Sequence, residues 1–97
     1  MERPDTRQAI TTGYVPPTSA RTARVKARAP AGAKYTEWDD DLHMETNHLL
    51  AATALANKYG WLEPRTVGGK TMVQRLVGGG NHRGEFVWVL TEEEDKA

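Results

Sequence analysis

DDDLHMETNHLLAATALANKYGW, residues Asp39 to Trp61, is the stretch on which the fold turns. Met44, His48, Ala51, Ala52, Leu55 and Tyr59 recur at intervals of three and four, so on a helix they share one face, with Leu49 and Ala56 widening it. Asn47, Asn57 and Lys58 fall on the opposite side. Asp39, Asp40 and Asp41 stand where a side-chain cap and negative charge suit the free amides and positive pole of a helix start, and Glu45 continues that first turn. At the other end Lys58 suits the negative pole, and Gly60 can take the left-handed conformation that closes a helix and lets Trp61 and Leu62 fold back. The alanines between positions 51 and 56 let a sheet come close to the helix axis.

Working outward toward the start, Ala23, Val25, Ala27 and Ala29 alternate with Arg24, Lys26 and Arg28, the pattern of a half-buried strand. Pro30, Ala31 and Gly32 make a turn, and Lys34 to Trp38 returns as a second strand that feeds the helix. Further back, Pro16 and Pro17 forbid helix between Thr11 and Ala20 and favour an extended course along the domain. Beyond the helix, Pro64 and the pair Gly68 and Gly69 predict a loop from Glu63 to Lys70. Thr71 to Val77 is a third strand, the glycine-rich run Gly78 to Gly84 a connection, and Glu85 to Leu90 a fourth strand. Phe86, Trp88 and Leu90 alternate there with Val87 and Val89, so the fourth strand is expected to be covered on both faces and central. These elements predict an α+β domain over residues 11–90, a four-stranded antiparallel sheet with one helix packed across it in ββαββ order. Residues 1–10 are expected as a disordered arm and 91–97 as a frayed acidic tail.

Ninety-seven residues suit one small domain, and no apolar run approaches the roughly 20 residues needed to cross a bilayer. The opening MERPDTRQAI has no apolar core of the kind a secretory signal needs, and the lack of cysteine excludes disulfide and thiolate chemistry, so a cytoplasmic location is expected. Thirteen basic and thirteen acidic residues cancel, but unevenly: residues 1–36 hold seven Lys or Arg against two acids, and 37–97 hold six against eleven. That polarity concerns surfaces and not the fold.

TTGYVPPT, ARVKARAPAG, EWDDDLHMETNH, LAATALANKYGW, the triple glycine at Gly78 and the closing GEFVWVL follow one another in a way that resembles small uncharacterised proteins encoded by phages, prophages and plasmids. That group has a Y-x-x-P-T opening, an R-x-K-A strand, a Glu-x-Asn-His helix start, a K-x-G-W helix end and a Gly-rich hairpin, and the likeness runs over residues 11 to 90. The resemblance implies a stand-alone protein carried by mobile DNA, working in the cytoplasm of a bacterial host, with no activity attached to it. The chain departs from the group in its extra acidic step at Asp40 and Asp41 and in Asn81, His82 and Arg83 after the triple glycine.

Motifs for chemistry are sparse. Gly69, Lys70 and Thr71 spell GKT, but a phosphate-binding loop needs a glycine where this chain has Pro64. His43 and His48 are five apart, which turns them away from each other on a helix, and His82 lies far along the chain, so no metal site is expected. His48 instead suits a core-edge imidazole bonded to a neighbouring strand, with Asn47 capping or bridging beside it. Ser19, in the segment before the first predicted strand, is the one serine, and the acids cluster at a helix start, so no catalytic residues, no cofactor and no enzyme activity are expected.

Two binding readings of different kinds remain. Arg24, Lys26 and Arg28 share one strand face, Arg21 adjoins them, and Tyr35 and Trp38 on the partner strand offer rings for stacking, the elements of a sheet platform for single-stranded nucleic acid. The same charges would equally keep the outside of a hairpin wet and protect its edge. The other reading is protein binding to a host or phage partner through Asp39, Asp40, Asp41 and Glu45 and through Asn81, His82 and Arg83. An inhibitor of a host defence complex would fit that style. Self-association through a bare sheet face or edge strand is a third course, and a homodimer belongs among the expected partners.

Overall fold

The structure is a computed structural model that describes residues 9–81 and 83–95. Its elements are β1 (Ile10–Val15), β2 (Arg24–Ala29), β3 (Gly32–Glu37), α1 (Met44–Lys58), β4 (Arg65–Val67), β5 (Lys70–Gly80) and β6 (Phe86–Glu94). Every ladder is antiparallel, and the strands form one curled, half-barrel sheet in the order β3-β2-β1-β6-β5-β4.

The fold is therefore mostly β, with six described strands in place of the expected four and without the ββαββ order. The first strand missed is β1, which lies in the middle of the sheet between β2 and β6. Its segment carries only two strongly apolar residues, but Ile10 and Thr12 point at the helix and are fully buried, while Pro16 and Pro17 merely follow the strand end. Ile10 was expected in the arm; residues 1–8 of that arm lie outside the described residues.

The second is β4. Gly68 and Gly69 have φ of 58° and 79°, so the pair expected in a loop is a two-residue hairpin turn that brings Val67 opposite Lys70. The last two strands also run further than their composition suggests. β6 continues to Glu94 because its acids face cations and amides on its neighbours. Arg65 holds Glu92 with two nitrogens, Gln74 donates to the same carboxylate, Arg75 meets Glu93 at 2.9 Å and Lys70 approaches Glu94 at 4.0 Å. β5 runs through Gly78, Gly79 and Gly80 because Trp88, paired with Gly78, lays its ring over the place a Cβ would occupy.

The core joins Ile10, Val25, Ala27 and Trp88 of the sheet to Ala51, Ala52, Leu55 and Ala56 of α1. Small residues on both sides allow the close approach that the sequence implies. α1 lies over β1, β2 and β3 and only grazes β5 and β6, so half of the sheet has little helix above it. The helix ends as expected: the Trp61 amide donates to Ala56 O at 2.9 Å, the Gly60 amide to Asn57 O at 3.1 Å, and Gly60 has φ 71°.

Its start differs. The N-cap is His43, with no side-chain cap bond, so Asp39 to Asp41 precede the helix and do not cap it. Asn47, expected on the polar side, is 2% exposed and does the organising. Its Oδ1 accepts from the Asp39 amide at 2.8 Å, and its Nδ2 donates to Asp39 O at 2.9 Å and His43 O at 3.2 Å. The buried face is accordingly turned toward Asn47, and Met44, Leu49 and Tyr59 from the predicted stripe are exposed.

Candidate interaction surface

The two faces of the sheet carry different chemistry. On the helix side, Thr12 of β1 stands between two rings: its Oγ1 shares a 2.7 Å hydrogen bond with His48 Nδ1 and accepts from Trp88 Nε1 at 3.0 Å. All three residues are buried. Burial pushes the His48 pKa below its ordinary 6.5, against a smaller upward pull from a hydrogen bond to the Thr12 backbone. A neutral imidazole packed between Phe86, at 4.5 Å between ring centroids, and Trp38, at 6.3 Å, is a structural polar group. This is the strand-bonded role expected of His48.

The opposite, outer face is set by register. Arg24, Lys26 and Arg28 pair with Glu37, Tyr35 and Ala33 on β3 and with Val15, Gly13 and Thr11 on β1, so all of these point away from the helix. The expected basic stripe exists, but its members are engaged. The Arg24 guanidinium lies 4.5 Å from the Tyr35 ring centroid and the Lys26 ammonium 5.8 Å from it, so cations already cover the ring proposed for stacking. Arg28 bonds Glu85 at 3.2 Å; that bond, with one involving Asn81, holds the Glu85 carboxyl below the usual carboxylate range. Trp38 does not share the platform. It packs on the helix side, edge-on to Tyr14 at 5.0 Å, and donates to Asp40 Oδ1 at 3.0 Å. Arg21 is exposed in the bend before β2.

The residues proposed for protein binding fall at one end of the sheet, where β1 and β3 finish, β2 begins and the β5–β6 hairpin turns. Asp39, Asp40, Asp41 and Glu45 are exposed, and Asp39 Oδ1 accepts from the Asp41 amide at 2.9 Å, shaping the loop. Asn81 is committed to the turn, its Oδ1 accepting from the amides of Arg83 at 2.9 Å and Glu85 at 3.1 Å. Arg83 is exposed, and His82 lies outside the described residues.

What the residue pattern did not reveal is an apolar patch in the middle of the outer face. Val77 and Val89 are direct cross-strand partners, Val87 is the next outward residue on β6, and they are 52%, 48% and 36% exposed. The signal was present in EFVWVL, whose two apolar faces suggested a strand covered on both sides; β6 is central, but only its helix side is covered.

Two clefts of about 320 and 290 Å3 mark the surface, the first lined by Ala9, Thr11, Arg28, Ala29 and Pro30, the second by Gly60, Trp61, Glu63, Pro64, Arg65 and Gln74. Among the described residues, no three His, Asp or Glu side chains are grouped so as to hold a metal ion, and no helix is long and apolar enough to cross a membrane. Comparison of the chain with protein families, curated proteins and solved structures found no match.

Proposed function

We propose that this protein is a non-enzymatic protein-binding module whose outer sheet face, centred on Val87 and Val89, receives a partner. The observation that carries the reading is the contiguous valine patch on the two longest strands, left bare while Trp88, between Val87 and Val89, is buried on the other side. Charges rim the patch in both signs, Arg28 with Glu85 at one end and Arg75 with Glu93 at the other, the arrangement of an apolar centre with a polar border. In the setting that the resemblance to phage and plasmid proteins implies, the partner is a host protein, and obstruction of a defence complex is the kind of action such a surface performs. Affinity capture from bacterial lysate tests the reading: the wild type retains a partner, confirmed with purified protein, that the Val87→Lys, Val89→Lys double variant loses. If the double variant retains everything the wild type retains, the face is not the interface.

A second reading, binding of single-stranded nucleic acid by β2 and β3, rests on Arg24, Lys26 and Arg28 sharing the outer face of the sheet. Titration of short labelled DNA and RNA at low and moderate salt distinguishes it. Salt-sensitive binding abolished by Arg24→Glu with Arg28→Glu would move the function to that hairpin.

A further inference from the structure

Side chains alternate along β5, and its pairing with β6 runs unbroken from Met72 to Gly80, so Gln74 stands on the helix side of the sheet while Val77 stands on the outer side. There Gln74 lines the cleft of about 290 Å3 whose other walls are Gly60, Trp61, Glu63, Pro64 and Arg65, the stretch of chain that leaves α1 and begins β4. Two of those walls are held in place. The Trp61 ring stacks on Tyr59 with centroids 5.2 Å apart and planes 28° apart, and the Tyr59 hydroxyl donates to Ala31 O at 2.9 Å. Arg65 Nη2 donates to Glu92 Oε1 at 2.9 Å, so that guanidinium is already matched by a carboxylate.

The polar atoms left over at this cleft are acceptors. Gln74 gives its Nε2 to the Glu92 carboxylate, and its Oε1 is buried with no hydrogen-bond partner among the described residues. The reverse orientation of the amide would set that oxygen against the carboxylate, two acceptors in contact. At the rim, the Glu63 carboxylate folds back over Gly60, its Oε2 3.6 Å from where a Cβ there would stand, and it makes no ion pair among the described residues. Buried acceptors are seldom left unpaired, so a donor belongs here.

We infer that this cleft binds a guanidinium group, which lays its plane on the Trp61 indole and donates to both the Glu63 carboxylate and Gln74 Oε1. Each wall selects for that chemistry. Glu63 repels an anion, and a neutral apolar group leaves Gln74 Oε1 unsatisfied. A guanidinium is planar, carries five donors in a fixed fork and stacks on aromatic faces, whereas an ammonium has donors but no plane. The volume sits at the small end of the roughly 300–1,000 Å3 of ligand pockets, which suits one such group and its alkyl stem and not a cofactor. The group can belong to an arginine side chain or to a free guanidino compound.

Calorimetric titration with N-acetylarginine amide tests the site, with the citrulline amide, in which an uncharged urea replaces the guanidinium, as its control. The arginine probe saturates the protein at concentrations up to about 10 mM, and the citrulline probe binds at least about tenfold more weakly. Glu63→Gln, at an exposed position, keeps the native circular dichroism and lowers the affinity by about fivefold or more. Gln74→Met removes the unpaired oxygen, leaves Glu92 held by Arg65, and weakens binding as well. In NMR spectra the Trp61 indole N–H shifts on titration, and the Trp38 one, bonded to Asp40, does not. A blocked Gly-Arg-Gly peptide separates the two sources: tighter binding than the single residue assigns an arginine within a polypeptide, and equal binding a free guanidino compound, the site standing in both cases. No saturable binding, equal binding of the arginine and citrulline probes, or undiminished affinity in folded Glu63→Gln would each overturn the inference. None of these outcomes touches the partner-face reading, which concerns the other side of the sheet and is tested at Val87 and Val89.

Discussion

Thr12 Oγ1 and His48 Nδ1 lie 2.7 Å apart, joining the central strand to the helix at a point from which water is excluded. With the Trp88 indole donating to the same oxygen, one hydroxyl satisfies two buried rings from two different elements. Thr12→Val keeps the shape of the side chain and leaves both ring nitrogens without this partner. A loss of about 1–3 kcal/mol is expected by urea denaturation, with Thr12→Ser recovering much of it.

Because burial lowers the His48 pKa, the unfolded chain takes up a proton before the folded one does as pH falls. Stability is therefore expected to be level above the ordinary value of 6.5 and to decline as pH drops through and below it. Glu85 acts in a separate, more acidic window: its depressed pKa favours the folded state above 4.5, and that contribution disappears as pH falls below. Denaturation midpoints at pH 7.5, 6 and 5 check the first decline, and His48→Gln should flatten it.

Gly78 and Gly79 are neighbours with opposite sensitivity. A Cβ at Gly78 would collide with the Trp88 ring and come within 2.6 Å of Val87 O, whereas one at Gly79 meets nothing within 4 Å. Gly78→Ala should cost about 1–3 kcal/mol through overpacking, and Gly79→Ala should leave the thermal midpoint nearly unchanged.

Asn47 donates to backbone carbonyls of the loop before α1 and accepts from the Asp39 amide. Asn47→Asp removes the donors and sets a carboxylate against carbonyl oxygens, so it should destabilise by at least as much as Asn47→Ala, about 1–3 kcal/mol by chemical denaturation. Equal stability of all three proteins would show that the loop does not depend on this side chain.

Leu55 is fully buried under the sheet, so Leu55→Ala should cost about 2–5 kcal/mol. Leu55→Asp should abolish the cooperative melt, because a buried carboxylate without a partner adds its own penalty to the lost packing.

The helix, its glycine closure and the β2–β3 hairpin were legible because each depends on neighbours close in sequence. Spacing placed Leu55 and His48 inward, and Gly60 announced the end. Asn47 was misplaced because helical period ranks it as polar, while its surroundings come from a loop several residues upstream. β1 went unseen because a central strand with Thr, Gly and Tyr has almost no hydrophobic signature of its own. The acidic end of β6 resembled a tail until Arg65, Arg75 and Lys70 were set beside it. Among the site residues, the basic stripe was correctly placed on one face, but nothing in its alternation tells that Tyr35 lies beneath Arg24 or that Trp38 turns to the other side.

Local chemistry alone therefore settled that the middle of the chain coils, that Gly60 ends the helix and that Leu55 and His48 face inward, since turn conformers and amphipathic period act over a few positions. Strand order, the exposure of Val77, Val87 and Val89 and the half-covered edge of β5 were decided only on assembly. Those depend on how far a fifteen-residue helix reaches across six strands, a matter of area and register between residues distant in the chain.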